Sequence, residues 1–230
     1  MPRPLIADRR RVILDRAEAL ISADGYAATS IARIAAESGI GKGAVYREFP
    51  SKEALLEALL TRSMLRLVDA MADAIDEAER GASPLGLAGI YRAGIDGLRR
   101  HPLLVDLIAT SQGDVAAAVR DRADDRYADR FAWVLEYLEA LQRAGVVRRD
   151  LAIAEIATTL SALTVGFLSV GSIVGSSPSG IPRDSGMEVV VAMVAALETP
   201  EAAAGALATA HEAHRTLLDR IRRQLEGDPA

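Results

Sequence analysis

The sequence predicts an all-α protein on three observations. Half of its 230 residues are hydrophobic while only 4% are aromatic. Alanine, leucine, valine and isoleucine must therefore supply most of the buried surface, which favours packed helices over a β-sandwich. Helix breakers recur at Gly25, Gly39, Pro50, Gly81-Ala82-Ser83-Pro84, His101-Pro102, Ala144-Gly145 and the stretch from Gly175 to Asp184. Strand signals are nearly absent, because the β-branched run Val189-Val190-Val191 is short and sits in an alanine-rich helical context.

Taken in order, the first helix is predicted from about Arg10 to Ala23, with Ile13, Ala17, Leu20 and Ile21 on one face and Gly25 as its stop. Thr29 or Ser30 caps a second helix running through Ser38, since a hydroxyl there accepts an otherwise orphaned backbone N–H. Gly39 ends it. A short third helix follows from about Lys42 to Phe49, and Ser51 caps a long fourth one that continues to about Arg80 without internal proline or glycine. Further helices are predicted at about Leu85 to Arg100, Pro102 to Thr110, Val115 to Ala144, Ile153 to Val174, Met187 to Leu197 and Glu201 to Glu226. The total is nine or ten, divided into a small helical unit over residues 1–50 and a larger one over 51–230.

The chain has no cysteine, which excludes disulfide frameworks, thiolate zinc sites and a thiol nucleophile. Near the start no apolar run of signal-peptide length precedes Asp15 and Arg16, so a cytoplasmic protein is expected. Ile156 to Gly175 is uncharged and about as long as a bilayer span, but threonines and serines interrupt it and no tyrosine or tryptophan marks its ends. A helix buried by protein is the simpler reading, and no membrane partner is expected.

The net charge of −5 argues against a protein coated in nucleic acid, yet the charge is uneven. Met1 to Glu53 carries nine basic and seven acidic residues, net +2, which leaves −7 for the remainder. Both lysines of the chain, Lys42 and Lys52, lie there beside Arg9-Arg10-Arg11. A basic end on an acidic body suits a small nucleic-acid module on a larger domain, although three arginines near an N-terminus also read as a solvated tail.

The informative segment is Ser30 to Phe49. Ala35, Gly39 and Val45 supply a small residue at a close helix crossing, a glycine for positive φ in the turn, and an apolar residue on the buried face of the next helix. Ile31, Ile34, Ile40 and Phe49 complete the apolar face, leaving Lys42, Gly43, Ala44, Tyr46 and Arg47 outward on a helix that fits a major groove.

The run from Gly25 through Leu56, with its Tyr-x-x-Phe-Pro-Ser-Lys-Glu junction, resembles the N-terminal signature of the TetR family of bacterial transcriptional regulators. The match covers about a quarter of the chain; the helical body matches in pattern only. The resemblance implies a homodimer, a double-stranded DNA operator with two half-sites, and a small-molecule effector whose binding releases that operator. Carried over by position, it assigns a phosphate to the Tyr46 hydroxyl, a phosphate or base to Lys42, and the far backbone to Lys52. Thr29 and Ser30 add contacts at a helix N-terminus. Arg47 is the candidate for guanine readout. Three positions depart from the family pattern. Gly41 replaces a usual serine or threonine cap, Ala44 replaces a threonine, and Glu48 brings a negative charge near DNA, where it either accepts from a cytosine amine or points away.

In the body, the nearly uncharged helices at Ile153 to Val174 and Met187 to Leu197 carry more apolar surface than one layer needs. The resemblance pairs them with their symmetry mates in a four-helix bundle, with Ala162, Gly166, Ser169 and Ser172 allowing close approach. The last helix, bearing Arg215, Arg220, Arg222 and Arg223, reads as amphipathic and surface-lying. Ligand candidates are Tyr91, His101, Trp133, Tyr137 and Phe167, each equally readable as ordinary core. Asp121, Asp125 and Asp129 resemble converging metal ligands, but pairing of Arg122 with Asp125 and of Arg126 with Asp129 explains them as a solvated face. His211 and His214 lack an evident third ligand. No catalytic residue, metal or cofactor is assigned. The competing reading, an all-helical enzyme or carrier with a vestigial helix-turn-helix, finds no nucleophile with a base, no HExxH and no phosphate loop.

Overall fold

The computed structural model describes residues 8–81, 85–109, 126–173, 186–200, 202 and 204–227. Ten helices stand among the described residues: α1 (Arg9–Asp24), α2 (Ile31–Ser38), α3 (Lys42–Glu48), α4 (Lys52–Arg80), α5 (Leu87–Arg99), α6 (Pro102–Ala109), α7 (Arg126–Ala144), α8 (Ile153–Ile173), α9 (Met187–Ala195) and α10 (Ala204–Glu226). The fold is all-α. Val189 to Val191 lie inside α9, and the sole extended pairing among the described residues is an isolated antiparallel bridge between Val147 and Glu198.

The stops act by the expected backbone chemistry. Gly25 donates its N–H to the Ile21 carbonyl at 2.8 Å, and Gly39 takes the left-handed conformation at φ 68° that ends α2. Ser51 accepts the Ala54 N–H at 3.1 Å and caps α4. The helix expected from Val115 is described from Arg126 onward. Asp121, Arg122 and Asp125, the stretch from Gly175 to Asp184, Arg3, and the break at residues 82–84 lie outside the described residues. No helix among the described residues is long and apolar enough to cross a membrane.

Three apolar cores are strung along α4. The first gathers Ile13, Ala17 and Leu20 of α1, Ile34 of α2, Val45 of α3, Phe49, and Leu55, Leu56 and Leu59 of α4, and it also takes in Leu103 of α6. The second joins Val68 and Ile75 of α4 to Leu138 and Leu141 of α7, Ile156 of α8, Val194 of α9 and Leu218 of α10. Between them lie Leu67, Ile95, Leu98, Leu104, Leu168 and Met187. Helix α5 crosses α4 closely at Gly97, where an added Cβ would press on the Leu67 side chain.

Helix α10 is less of a surface helix than its sequence implies. Ala210, His211, His214 and Leu218 are buried against α4 and α7. Arg215 pairs with Asp76 at 2.6 Å and Glu79 at 2.8 Å, while Arg222 reaches Asp69 at 2.6 Å. The two histidines hold the backbone of Leu85. His214 Nε2 donates to the Leu85 carbonyl at 2.9 Å and His211 Nε2 accepts the Leu85 N–H at 3.1 Å. These bonds fix both tautomers, so His214 Nδ1 accepts from the Tyr137 hydroxyl at 2.9 Å and His211 Nδ1 faces Glu79 at 3.4 Å. The rings are thereby committed to hydrogen bonds rather than to a metal, and no cluster of three His, Asp or Glu able to hold one occurs among the described residues.

Burial pushes the His214 imidazole down to about 4 from 6.5, with the neighbouring His211 adding to the shift and the Leu85 carbonyl opposing it. A depressed pKa means the unfolded chain takes up a proton first, so this contribution is complete above pH 6.5 and is lost as the pH falls toward 4. Chemical denaturation is expected to show about 2 kcal/mol less stability from this group at pH 5 than at pH 7, and about 3 less at pH 4. His214→Phe should remove that window while costing about 1–3 kcal/mol at neutral pH, because Tyr137 and Leu85 lose partners.

Candidate nucleic-acid interface

The helix-turn-helix is assembled on α1. Ile13 and Ala17 are fully buried beneath α2 and α3, and Val45 of α3 points into the same core. At the α2–α3 turn the N–H of Ile40 reaches the Ala35 carbonyl at 3.1 Å across the left-handed Gly39. Seven residues make α3, and Gly41 at its start offers no side-chain cap, as the glycine there implies.

Burial of Val45 and Phe49 on one side of α3 sets what stands on the other. Lys42, Gly43, Tyr46 and Arg47 are exposed, Tyr46 by 43%. Lys42 Nζ lies 5.8 Å from the Tyr46 ring centroid, so a cation and a phenol share one outer surface. A Cβ at Gly43 would meet nothing within 4 Å, leaving the backbone open to approach. Ala44, expected to face outward, is half-buried against the first core.

The adjacent hydroxyls Thr29 and Ser30 divide their work. Ser30 is exposed and caps α2 by accepting the Arg33 N–H at 3.2 Å. Thr29 is buried and donates its hydroxyl to the Gly25 carbonyl at 2.9 Å, closing the α1–α2 turn. Its expected phosphate contact is thus displaced by an internal bond. Lys52, at the start of α4, stacks its ammonium 4.1 Å over the Tyr26 ring and donates to the Ala27 carbonyl at 3.3 Å. It is therefore half-buried and placed beside the α1–α2 turn, not extended from the surface.

Sequence reasoning missed the part played by the arginine run. Arg10 lies with its guanidinium carbon 4.4 Å over the Phe49 ring and donates to the Glu48 carbonyl at 3.2 Å, binding the C-terminal end of α3 to α1. Arg11 pairs with Asp8 at 2.9 Å and Asp15 at 3.3 Å. Arg62 of α4 bridges Asp15 and Glu18 of α1, each at 2.6 Å, and Arg66 adds a contact to Glu18 at 3.3 Å. Separations of 38 residues for Arg10 and 44 to 48 for Arg62 and Arg66 hid these long-range contacts from local patterns.

In the body, the five ligand candidates stand in three places among the described residues. Trp133 and Tyr137 line a surface groove between α7 and α10. Tyr91 and Phe167 flank the middle core, Tyr91 sharing a 3.0 Å hydrogen bond with Thr164. His101 sits at the α5–α6 junction, where burial, then Arg66, lowers its pKa. Exposed apolar residues collect on α8 and α9, at Val165 (44%), Val189 (64%) and Met193 (54%), with Ala162 and Gly166 also exposed. Ser169 is buried within the chain, and the Ser172 side chain lies outside the described residues.

Comparison with known proteins matches this geometry. Residues 13–59 fit the model of bacterial regulatory proteins, tetR family. The chain is 32% identical over 114 residues to the HTH-type transcriptional repressor KstR of Mycobacterium tuberculosis, a match covering 48% of this chain and 50% of that protein. KstR of Rhodococcus jostii is 35% identical over 104 residues, covering 43% and 45% respectively. The chain thus spans about half the length of the curated relatives it matches. Among solved structures, FadR from Bacillus subtilis in complex with stearoyl-CoA superposes with a TM-score of 0.58 at 16% identity, covering 81% of this chain and 98% of that one. Over residues 13–59, which span the helix-turn-helix, the chain is thus similar to the bacterial regulatory proteins of the tetR family.

Proposed function

We propose that the protein is a dimeric transcriptional repressor that holds a two-half-site operator with α3 of each protomer and releases it when a small molecule occupies the body. The observation that carries this reading is the two-sided character of α3: Val45 fully buried, and Lys42, Gly43, Tyr46 and Arg47 exposed on a face with no other structural task. Lys42 and the Tyr46 hydroxyl hold phosphates, Arg47 reads a base edge, and Ser30 and the backbone beside Lys52 meet the flanking strand. Residues 1–50 form the DNA-binding unit and 51–230 the effector and dimer unit, with the first turns of α4 packed into both.

The partner for dimerisation is a second copy, seated on the exposed apolar face of α8 and α9. Two-fold symmetry then sets the spacing of the recognition helices. The effector lies beside the middle core, near Tyr91 and Phe167. Support for a repressor comes from the KstR relatives, and support for a ligand in such a body comes from the FadR structure with stearoyl-CoA. The protein is a regulator and not a catalyst.

The direct test is binding to the intergenic DNA beside its own gene, where absence of any shift at micromolar protein would refute the reading. Tyr46→Phe should weaken that complex about tenfold, the loss of one hydrogen bond to a charged group. Lys42→Ala should weaken specific and non-specific DNA alike and lower the salt slope by about one per protomer. Arg10→Ala, by loosening α3, should instead cut the ratio of specific to non-specific affinity while leaving the salt slope unchanged. Val189→Glu combined with Met193→Glu should give a monomer in analytical ultracentrifugation, with a matching loss of operator affinity.

A further inference from the structure

A groove of about 300 Å³ runs between α7 and α10, walled by Trp133, Tyr137 and Ala140 on one side and Ala213 and Leu217 on the other. We propose that this groove is a second ligand site, taking a small, flat, uncharged aromatic molecule, and that Tyr137 relays its occupancy to the Leu85 backbone ahead of α5. The relay rests on the DNA-binding reading above; the site does not.

The class of ligand follows from what the groove offers. Its volume sits at the small end of ligand sites. Its rim charges cancel: Glu136 is paired with Arg220, and Glu212 is balanced by Arg143, so no net field selects an ion. The hydroxyl protons are already committed, Thr209 to the Gly205 carbonyl at 3.2 Å, Thr216 to the Glu212 carbonyl at 2.9 Å, and Tyr137 to His214. The walls between the rim charges are aliphatic surface and the half-buried Trp133 ring, whose complement is another aromatic face.

The relay follows from where the Tyr137 hydroxyl goes. It bonds His214 at 2.9 Å, and the opposite nitrogen of that ring holds the Leu85 carbonyl at 2.9 Å, two residues before α5 begins. A ligand that prefers one position of the Tyr137 ring therefore acts on the hydrogen bond that holds Leu85 to α10, the helix whose His211 faces Glu79 of α4 at 3.4 Å. Helix α4 is in turn tied to α1 through Arg62. Differential binding between two such positions is all that a population shift requires.

Trp133 is the chain's only tryptophan, so its emission reports on the groove directly. Titrating the full-length protein with N-phenyl-1-naphthylamine, an uncharged aromatic fluorophore, should quench Trp133 to saturation at one probe per protomer. Leu217→Arg and, separately, Ala140→Leu should weaken this at least tenfold while keeping the helical circular dichroism spectrum. Saturating probe should change affinity for the promoter DNA at least fivefold in the parent protein, and less than twofold in Tyr137→Phe, which still binds probe. By linkage, DNA should change probe affinity by the same factor. Failure to quench up to the solubility limit of the probe, or quenching that survives both groove variants, overturns the site. A DNA response equally large in Tyr137→Phe overturns the relay. A protein that binds no DNA yet quenches as expected sinks the repressor reading and leaves the site standing.

Discussion

Helix α4 contributes to all three cores found among the described residues. Leu55, Leu56 and Leu59 sit in the first, Leu67 in the middle one, and Val68 and Ile75 in the last. At 29 residues it is roughly 40 Å long and spans the whole chain of cores. Neither end is free to move alone. Arg62 and Arg66 hold it to α1, while Asp69, Asp76 and Glu79 hold it to α10. Most of these ion pairs are solvent-exposed and contribute little stability singly. The side chain of Arg62, 17% exposed, is the exception and joins two carboxylates at once. Together they fix the azimuth of α1 about α4, and α1 carries the helix-turn-helix.

The helix boundaries were legible because each rests on chemistry local to a few residues. Gly25, Gly39, Ser51 and Gly145 each terminate or start a helix within a residue or two of the expected point. The outward face of α3 was legible too, since Val45 and Phe49 at a four-residue step leave Tyr46 and Arg47 on the far side. Ala44 fell between the faces, at the margin where a small methyl is tolerated on either.

What was hidden depends on contacts between distant segments. Thr29 and Ser30 are chemically interchangeable as caps; only the path of the turn after Gly25 decides which hydroxyl is turned inward. Arg10 reads as solvated charge until the chain places Phe49 beneath it. His211 and His214 read as a pair of ligands until Leu85, more than 120 residues away, presents its backbone between them. The ligand candidates are ring-bearing residues on predicted helices or, for His101, at the break between two of them. Packing then assigned Tyr91 and Phe167 to one core and Trp133 to an outer groove.

The seven-residue length of α3 has a consequence of its own. An isolated helix of two turns does not persist in water, because nucleation is costly and few bonds follow it. With an uncapped start and its last turn held by a guanidinium from α1, this helix has no shape except the one its neighbours impose. Excised as a peptide, the same side chains would be a coil, so the outer surface they form is a property of the surrounding scaffold and not of the segment that bears it.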